Sequence, residues 1–208
     1  MNKGRFEAFT DGVFAFAITL LALGFVLPQI KSHPPAEAEL VAGLLGLWPN
    51  LVAYLLSFFV IGIMWQNHHA LFRLVPRIDR KTVLYNFMLL AATAFIPFAT
   101  SALGTYPTMR PTAFLYGLTL TSSATAYNVM LQHLVATNAF SREVSAQTIR
   151  QTLFAYRVGW VIYPAAMLIA LVAPIVSFIL YVLITIFYLI PRGADTDLDT
   201  EDLVAGQA

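Results

Sequence analysis

The chain has 208 residues, of which 59% are hydrophobic and 11% are charged, and its net charge is +1. A soluble domain carries roughly 25% charged residues, because its surface must face water. The composition therefore excludes an ordinary soluble enzyme, and the small net charge excludes a basic surface for nucleic acid. A surface that faces membrane lipid has no such need of charge, so we predict an integral membrane protein.

The spacing of the charged residues predicts an all-α, polytopic membrane protein with six transmembrane helices. The first four apolar segments cover about residues 6–27, part of the uncharged stretch 40–72, about 82–104 and about 111–135. The last apolar run, 158–190, would form one helix of ~50 Å, against a hydrocarbon core of ~30 Å. We therefore divide it at Pro174, because proline suits the first turn of a new helix. This predicts two rather short helices, the first kinked at Pro164.

The positive residues predict the orientation of these spans. Of the 12 Lys and Arg residues, all except Lys31 and Arg110 fall on one side if there are six spans. The positive-inside rule then places both termini in the cytoplasm. We expect the six-helix domain, residues 1–191, to lie in the cell membrane. Residues 192–208 are acidic and are expected to form a disordered tail.

Helix one contains a carboxylate and a regularly spaced face. Asp11 lies within its first turns, where a charge needs a partner or water, although it also complements the helix dipole. Spacing alone favours a packing face in which a threonine bonds to its own backbone. The residues of that face are Gly12, Phe16, Thr19, Leu23 and Val26 or Leu27.

Helices two to four contain further polar side chains. His68 and His69 are adjacent and point about 100° apart on a helix, so we expect interhelical hydrogen bonds rather than a structural metal site. Pro97 is expected to kink helix three. The hydroxyl and amide side chains of helix four favour packing between helices, with a water-facing wall as the second interpretation.

Three local patterns resemble the transmembrane protein 175 family of potassium channels. In the first, an arginine is followed after three residues by Phe-Ser/Thr-Asp. The resemblance covers about the first half of the chain, and the second half agrees only in its pattern of spans. In chain order the patterns are Arg5 with Phe9-Thr10-Asp11, Trp65 with His68-His69, and Asn86 with Pro97-Phe98.

The resemblance implies a potassium-selective channel with passive flux, in which helix one lines the pore around a central axis. Family members with one six-helix repeat form tetramers, so it implies a homotetramer that conducts potassium ions near Thr19 and needs no cofactor. The family usually has an aliphatic residue at position 16, so Phe16 either narrows the pore or turns away from it. The implied constriction and selectivity residues are Phe16, Thr19, Leu20 and Leu23, and the implied structural polar network is Arg5, Phe9, Thr10, Asp11, Trp65, His68 and Asn86.

Two other function classes would each require particular residues in this sequence. A secondary transporter or proton-coupled permease needs a broken helix or an ionisable residue near the midplane. Asp11 is the available candidate, and it lies near the cytoplasmic end. An intramembrane enzyme would have to use His68, His69 or His133, without an acidic partner or nucleophile placed to support it. We therefore predict that the protein is not an enzyme.

Overall fold

The computed structural model describes residues 2–34, 36–142 and 144–189, and the described residues form helices without strands. The acidic tail predicted over residues 192–208 lies outside them. A short 3-10 helix, Leu21–Gly24, directly follows the first α-helix. The α-helices are α1 (Lys3–Leu20), α2 (Glu37–Gly46), α3 (Trp48–Arg73), α4 (Arg80–Thr105), α5 (Arg110–Ala136), α6 (Ala146–Ile169) and α7 (Pro174–Tyr188).

The all-α, six-helix prediction is confirmed, and α2 is an additional short helix before α3. Among the described residues, four helices are long and apolar enough to cross a membrane, namely α1 with its 3-10 extension, α3, α4 and α6. Helix α5 has 27 residues but is less apolar, because it carries many hydroxyl and amide groups. Helix α7 is strongly apolar but has 15 residues, which span roughly 22 Å. Both pack within the same bundle as the other four.

The start of α6 differs from the sequence expectation. The apolar run begins near Val158, but the helix begins at Ala146 and has 24 residues, so the expectation of a short fifth helix was wrong. The physical reason is a cap placed earlier in the chain, where Ser145 Oγ accepts a hydrogen bond from Thr148 N at 3.0 Å. Because the cap satisfies a free backbone N–H of the first turn, the helix can begin among polar residues, before its apolar part.

Helix α5 lies at the centre of the bundle and packs on α4, α6 and α7. Several of its threonine and serine hydroxyls bond within the helix: Thr119 donates to Leu115 O at 2.9 Å and Ser123 to Thr119 O at 3.1 Å. Back-bonding of this kind satisfies a hydroxyl without water. Gly117 permits the close approach of α6, because a Cβ there would come within 2.9 Å of Met167 Cα. These contacts agree with packing between helices.

Helix α1 lies at the edge of the bundle. It packs on α3 and α4, and no packing with α5, α6 or α7 occurs in the described ranges. The residues buried along α1 and its 3-10 extension recur every three or four positions and form one stripe. This stripe fixes which face of α1 points away from the protein. It consists of Phe6, Thr10, Phe14, Ala17 and Leu21.

Candidate pore face and polar network

The residues that the spacing grouped on one face of helix one point away from the bundle. Phe16 is 65% exposed and Leu23 is 75% exposed, Gly12 and Thr19 are also exposed, and Leu20 is half-buried. Phe16 therefore shares a face with Thr19 and Leu23 and does not turn into the bundle. Because the opposite stripe already packs on α3 and α4, this face is available to a lumen, to lipid or to another copy of the chain.

The hydroxyl of Thr19 can bond to its own helix and still be open to contact with an ion. Thr19 Oγ1 donates to Phe16 O at 2.8 Å, as the packing interpretation predicted. A hydroxyl has one proton and two acceptor lone pairs. A bond from the proton to the backbone leaves the lone pairs available, and the side chain is exposed. Thr19 can therefore offer an oxygen to a cation while it remains bonded to its own helix.

A buried hydrogen-bonded chain holds α1 to α3 and α4. Asn86 Oδ1 lies 3.0 Å from His68 Nε2, and Asn86 Nδ2 donates to Thr10 Oγ1 at 2.8 Å. All three residues are at most 1% exposed. Because an amide oxygen only accepts, Nε2 is the protonated nitrogen of His68. The chain therefore links α1, α4 and α3 through two buried hydrogen bonds.

Aromatic side chains enclose the ring of His68. Its centroid lies 4.4 Å from that of Phe72, 5.9 Å from those of Phe6 and Phe14, and 6.4 Å from that of Tyr127. An apolar enclosure makes an unpaired polar group costly. The position of His68 therefore depends on its bond to Asn86.

The other predicted network residues lie nearer the surface. Trp65 Nε1 donates to Asp11 Oδ1 at 2.9 Å, Trp65 is 44% exposed, and the exposed His69 stacks on Trp65 with ring centroids 5.9 Å apart. His69 thus faces outward while His68 faces the core. Phe9 is exposed, and its ring meets that of Phe87 edge-on with the two centroids 5.9 Å apart.

The predicted network therefore divides into two sets among the described residues. One is the buried chain of Thr10, Asn86 and His68, and the other is the Trp65–Asp11 pair. Arg5 is exposed and joins neither set within the described part of the chain. The division follows from helix geometry, since Asp11 points about 100° away from its neighbour Thr10 around α1.

A polar contact that the sequence did not indicate joins the start of α4 to the end of α5. Asp79 Oδ1 accepts bonds from Thr82 N at 2.8 Å and Thr82 Oγ1 at 2.6 Å, which caps α4. Asp79 Oδ2 lies 2.8 Å from His133 Nε2. The bonds from Thr82, with a smaller contribution from His133, lower the pKa of Asp79 from 3.8 to about 2.

We expect Asp79→Ala to reduce the stability of the detergent-solubilised protein by about 1 kcal/mol, because the helix cap is lost. Asp79→Asn retains a capping oxygen and should cost less. The pKa is depressed in the folded chain, so this stabilisation is present above 3.8 and is lost as the pH falls to about 2. Added salt should weaken this stabilisation, because the carboxylate of Asp79 is half-exposed. Circular dichroism melts across this range test the prediction, and equal acid loss in the Asn variant would assign the effect to another group.

The fold and these contacts define a class of protein. It is a polytopic α-helical membrane protein whose first helix is anchored by a buried polar chain and presents an apolar face with one threonine. The chain belongs to the TMEM175 family: the family described as endosomal/lysosomal potassium channel TMEM175 matches residues 5–97. This match spans all three local patterns except Phe98.

Relatives and solved structures agree with this assignment. A potassium channel from Streptomyces collinus is 36% identical over 194 residues, which cover 90% of this chain and 92% of that protein. A potassium channel from Chamaesiphon minutus is 41% identical over 157 residues, which cover 71% and 76% of the two chains. The crystal structure of a lysosomal potassium-selective channel TMEM175 homolog from Chamaesiphon minutus superimposes with a TM-score of 0.80 at 33% identity, covering 90% of this chain and 96% of that one. The family resemblance is thereby confirmed.

Proposed function

We propose that this protein is a potassium-selective channel that passes ions passively along α1 and is not an enzyme. The observation that carries the proposal is the exposed face of α1, with large apolar side chains at Phe16 and Leu23 and a hydroxyl at Thr19. The relatives named as potassium channels support it, because this chain matches one of them over nearly its whole length.

The proposed pore requires several copies of the chain. One chain contributes one α1 helix, and a ring of identical helices around an axis is the usual closed arrangement. We propose a homotetramer in the cell membrane. Phe16, Leu20 and Leu23 would then form apolar layers that close by dewetting, and four Thr19 oxygens would replace part of the hydration of a potassium ion. Mass measurement of the detergent-solubilised protein tests the tetramer, and a monomer that still conducts would contradict it.

Electrical recording of the purified protein in a lipid bilayer separates a channel from a secondary transporter or a proton-coupled permease. A channel gives unitary currents that do not depend on a second coupled ion. Asp11, the carboxylate that a permease would use, is bonded to Trp65 and lies near the proposed cytoplasmic end. Flux that requires a proton or sodium gradient would favour the transporter.

Thr19→Val keeps the shape of the side chain and removes its oxygen. If Thr19 contacts ions, the permeability ratio of potassium to sodium should fall by about tenfold, which corresponds to 1.4 kcal/mol, while the tetramer persists. Thr105→Val is the matched control, since Thr105 is exposed on α4 and bonds to its own helix at Ser101 O. The same loss of selectivity in both variants would remove Thr19 from the ion path.

The proposed orientation places both termini in the cytoplasm. Because the chain has no cysteine, single cysteines introduced at Lys31 and Arg77 can be labelled without background. Both positions are exposed, and an impermeant maleimide should reach them from opposite sides of the membrane. A cysteine introduced at Arg110 should be labelled from the same side of the membrane as the cysteine at Lys31. Labelling of the Lys31 and Arg77 positions from the same side would overturn the orientation.

A further inference from the structure

A cavity of about 80 Å³ lies between α3, α5, α6 and α7. No described residue of α1 or α4 lines it, so it is separate from the proposed pore face. In the described ranges α3 and α6 do not pack directly on each other, and the cavity occupies the gap between them. The hydroxyl of Tyr156 on α6 crosses this gap and donates to Asn67 O on α3 at 3.2 Å.

Thr152 gives the cavity an unsatisfied polar group. Its side chain lines the cavity, is 2% exposed, and its hydroxyl has no hydrogen-bond partner. Buried hydroxyls almost always have a partner, because burying one without a bond costs free energy. An occupant of the cavity would supply the missing bond.

The other hydroxyls of the wall determine which polar group the occupant carries. Tyr127 donates to Met64 O, Thr185 to Tyr181 O at 2.8 Å, and Ser123 to Thr119 O at 3.1 Å. Each of these hydroxyls has used its one proton and retains acceptor capacity. These three hydroxyls therefore offer acceptor oxygens to an occupant, which favours one that can donate a hydrogen bond.

The remaining wall determines the charge and size of the occupant. Among the described lining residues none is charged, so an ion would lose its hydration without compensation. Val60, Met64 and Leu120 provide an apolar surface. An apolar cavity of about 150 Å³ holds a benzene molecule, so the present volume suits about three or four carbon atoms.

We infer that this cavity binds a small neutral alcohol, whose hydroxyl pairs with Thr152 and whose alkyl chain lies against the apolar wall. The occupant would also contact Tyr127, whose ring meets that of His68 edge-on with centroids 6.4 Å apart. The site therefore adjoins, from the side away from α1, the buried chain that anchors α1.

Photolabelling of the purified full chain in lipid nanodiscs tests the inference directly. The probe is a diazirine analogue of 1-butanol, and mass spectrometry locates the labelled residues. We expect saturable labelling at Tyr127 and Tyr156 that excess 1-butanol suppresses. Thr152→Val should reduce this labelling about fivefold, the usual effect of one hydrogen bond of about 1 kcal/mol. Ser122→Ala should leave it unchanged, because Ser122 is exposed and bonds to Leu118 O on its own helix.

Ala155→Leu is a second variant, which fills the cavity from α6 and should abolish the labelling. If it does not fold, Thr152→Val and competition by 1-butanol still decide the question. Labelling that does not saturate, or that is equal in wild type and Thr152→Val, would overturn the inference. So would labelling confined to exposed residues such as Phe154, since the alcohol would then only dissolve in lipid around the protein. None of these outcomes depends on ion conduction.

Discussion

Replacement of Leu23 by serine is expected to raise the basal potassium current about tenfold. Four leucines around a narrow axis would make an apolar layer from which water withdraws, and a dry layer excludes ions. A hydroxyl at this position holds water, and lowering the barrier by about 1.4 kcal/mol is sufficient for a tenfold change. Leu23 is 75% exposed and is not part of the packed stripe of α1, so the substitution should leave the folded chain intact.

The measurement is the current carried by a known amount of reconstituted protein in a bilayer at fixed potential. Leu183→Ser is the matched control, because Leu183 is a 55% exposed leucine on α7, which does not pack on α1 in the described residues. Phe16→Ala should act in the same direction as Leu23→Ser, since the two side chains share one face. Basal currents that stay at the wild-type level in both α1 variants would mean that this face does not line the pore.

Helix periodicity was sufficient to group four residues of helix one on a single face. Gly12, Phe16, Thr19 and Leu23 recur at intervals of three and four residues, and such positions share a face on any regular helix. The sequence could not say whether this face was buried or exposed, because both faces of α1 are largely apolar. The packing of α3 and α4 on the opposite stripe decides this in the structure.

The pairing of polar residues was less predictable. The family patterns named Thr10, His68 and Asn86 but did not say which of them bond, because partners on different helices depend on the register of packing. Arg5 was included with them and is exposed. The contact between Asp79 and His133 was missed for the same reason, since 54 positions separate the two residues.

The start of α6 and the internal cavity could not be predicted from the pattern of apolar residues. The start of α6 was placed at the beginning of an apolar run, whereas the structural signal was the cap at Ser145. The cavity beside Thr152 lies where the described parts of α3 and α6 do not pack directly on each other and the hydroxyl of Tyr156 reaches across to Asn67 O. Hydropathy describes one helix at a time and contains no information on such a gap.

The buried chain between helices should be more sensitive to substitution than the surface pair. Asn86→Leu preserves approximate size but leaves the His68 Nε2–H without an acceptor in an aromatic enclosure. The hydroxyl of Thr10 can turn to a carbonyl of its own helix, so the cost comes mainly from His68. A buried unsatisfied donor costs on the order of 1–3 kcal/mol, more than the roughly 0.6 kcal/mol average of an interhelical bond in a membrane protein.

We therefore expect Asn86→Leu to lower the melting temperature of the detergent-solubilised protein, measured by circular dichroism, more than any surface substitution. Asp11→Ala is the comparison, because it removes the bond to Trp65, which is 44% exposed and can reach water. Adding His68→Phe to Asn86→Leu should restore part of the loss, because replacing both buried partners by apolar groups leaves no unpaired donor. If Asn86→Leu costs no more than Asp11→Ala, or if His68→Phe deepens the loss, the buried bond between Asn86 and His68 is not what stabilises the packing of α3 against α4.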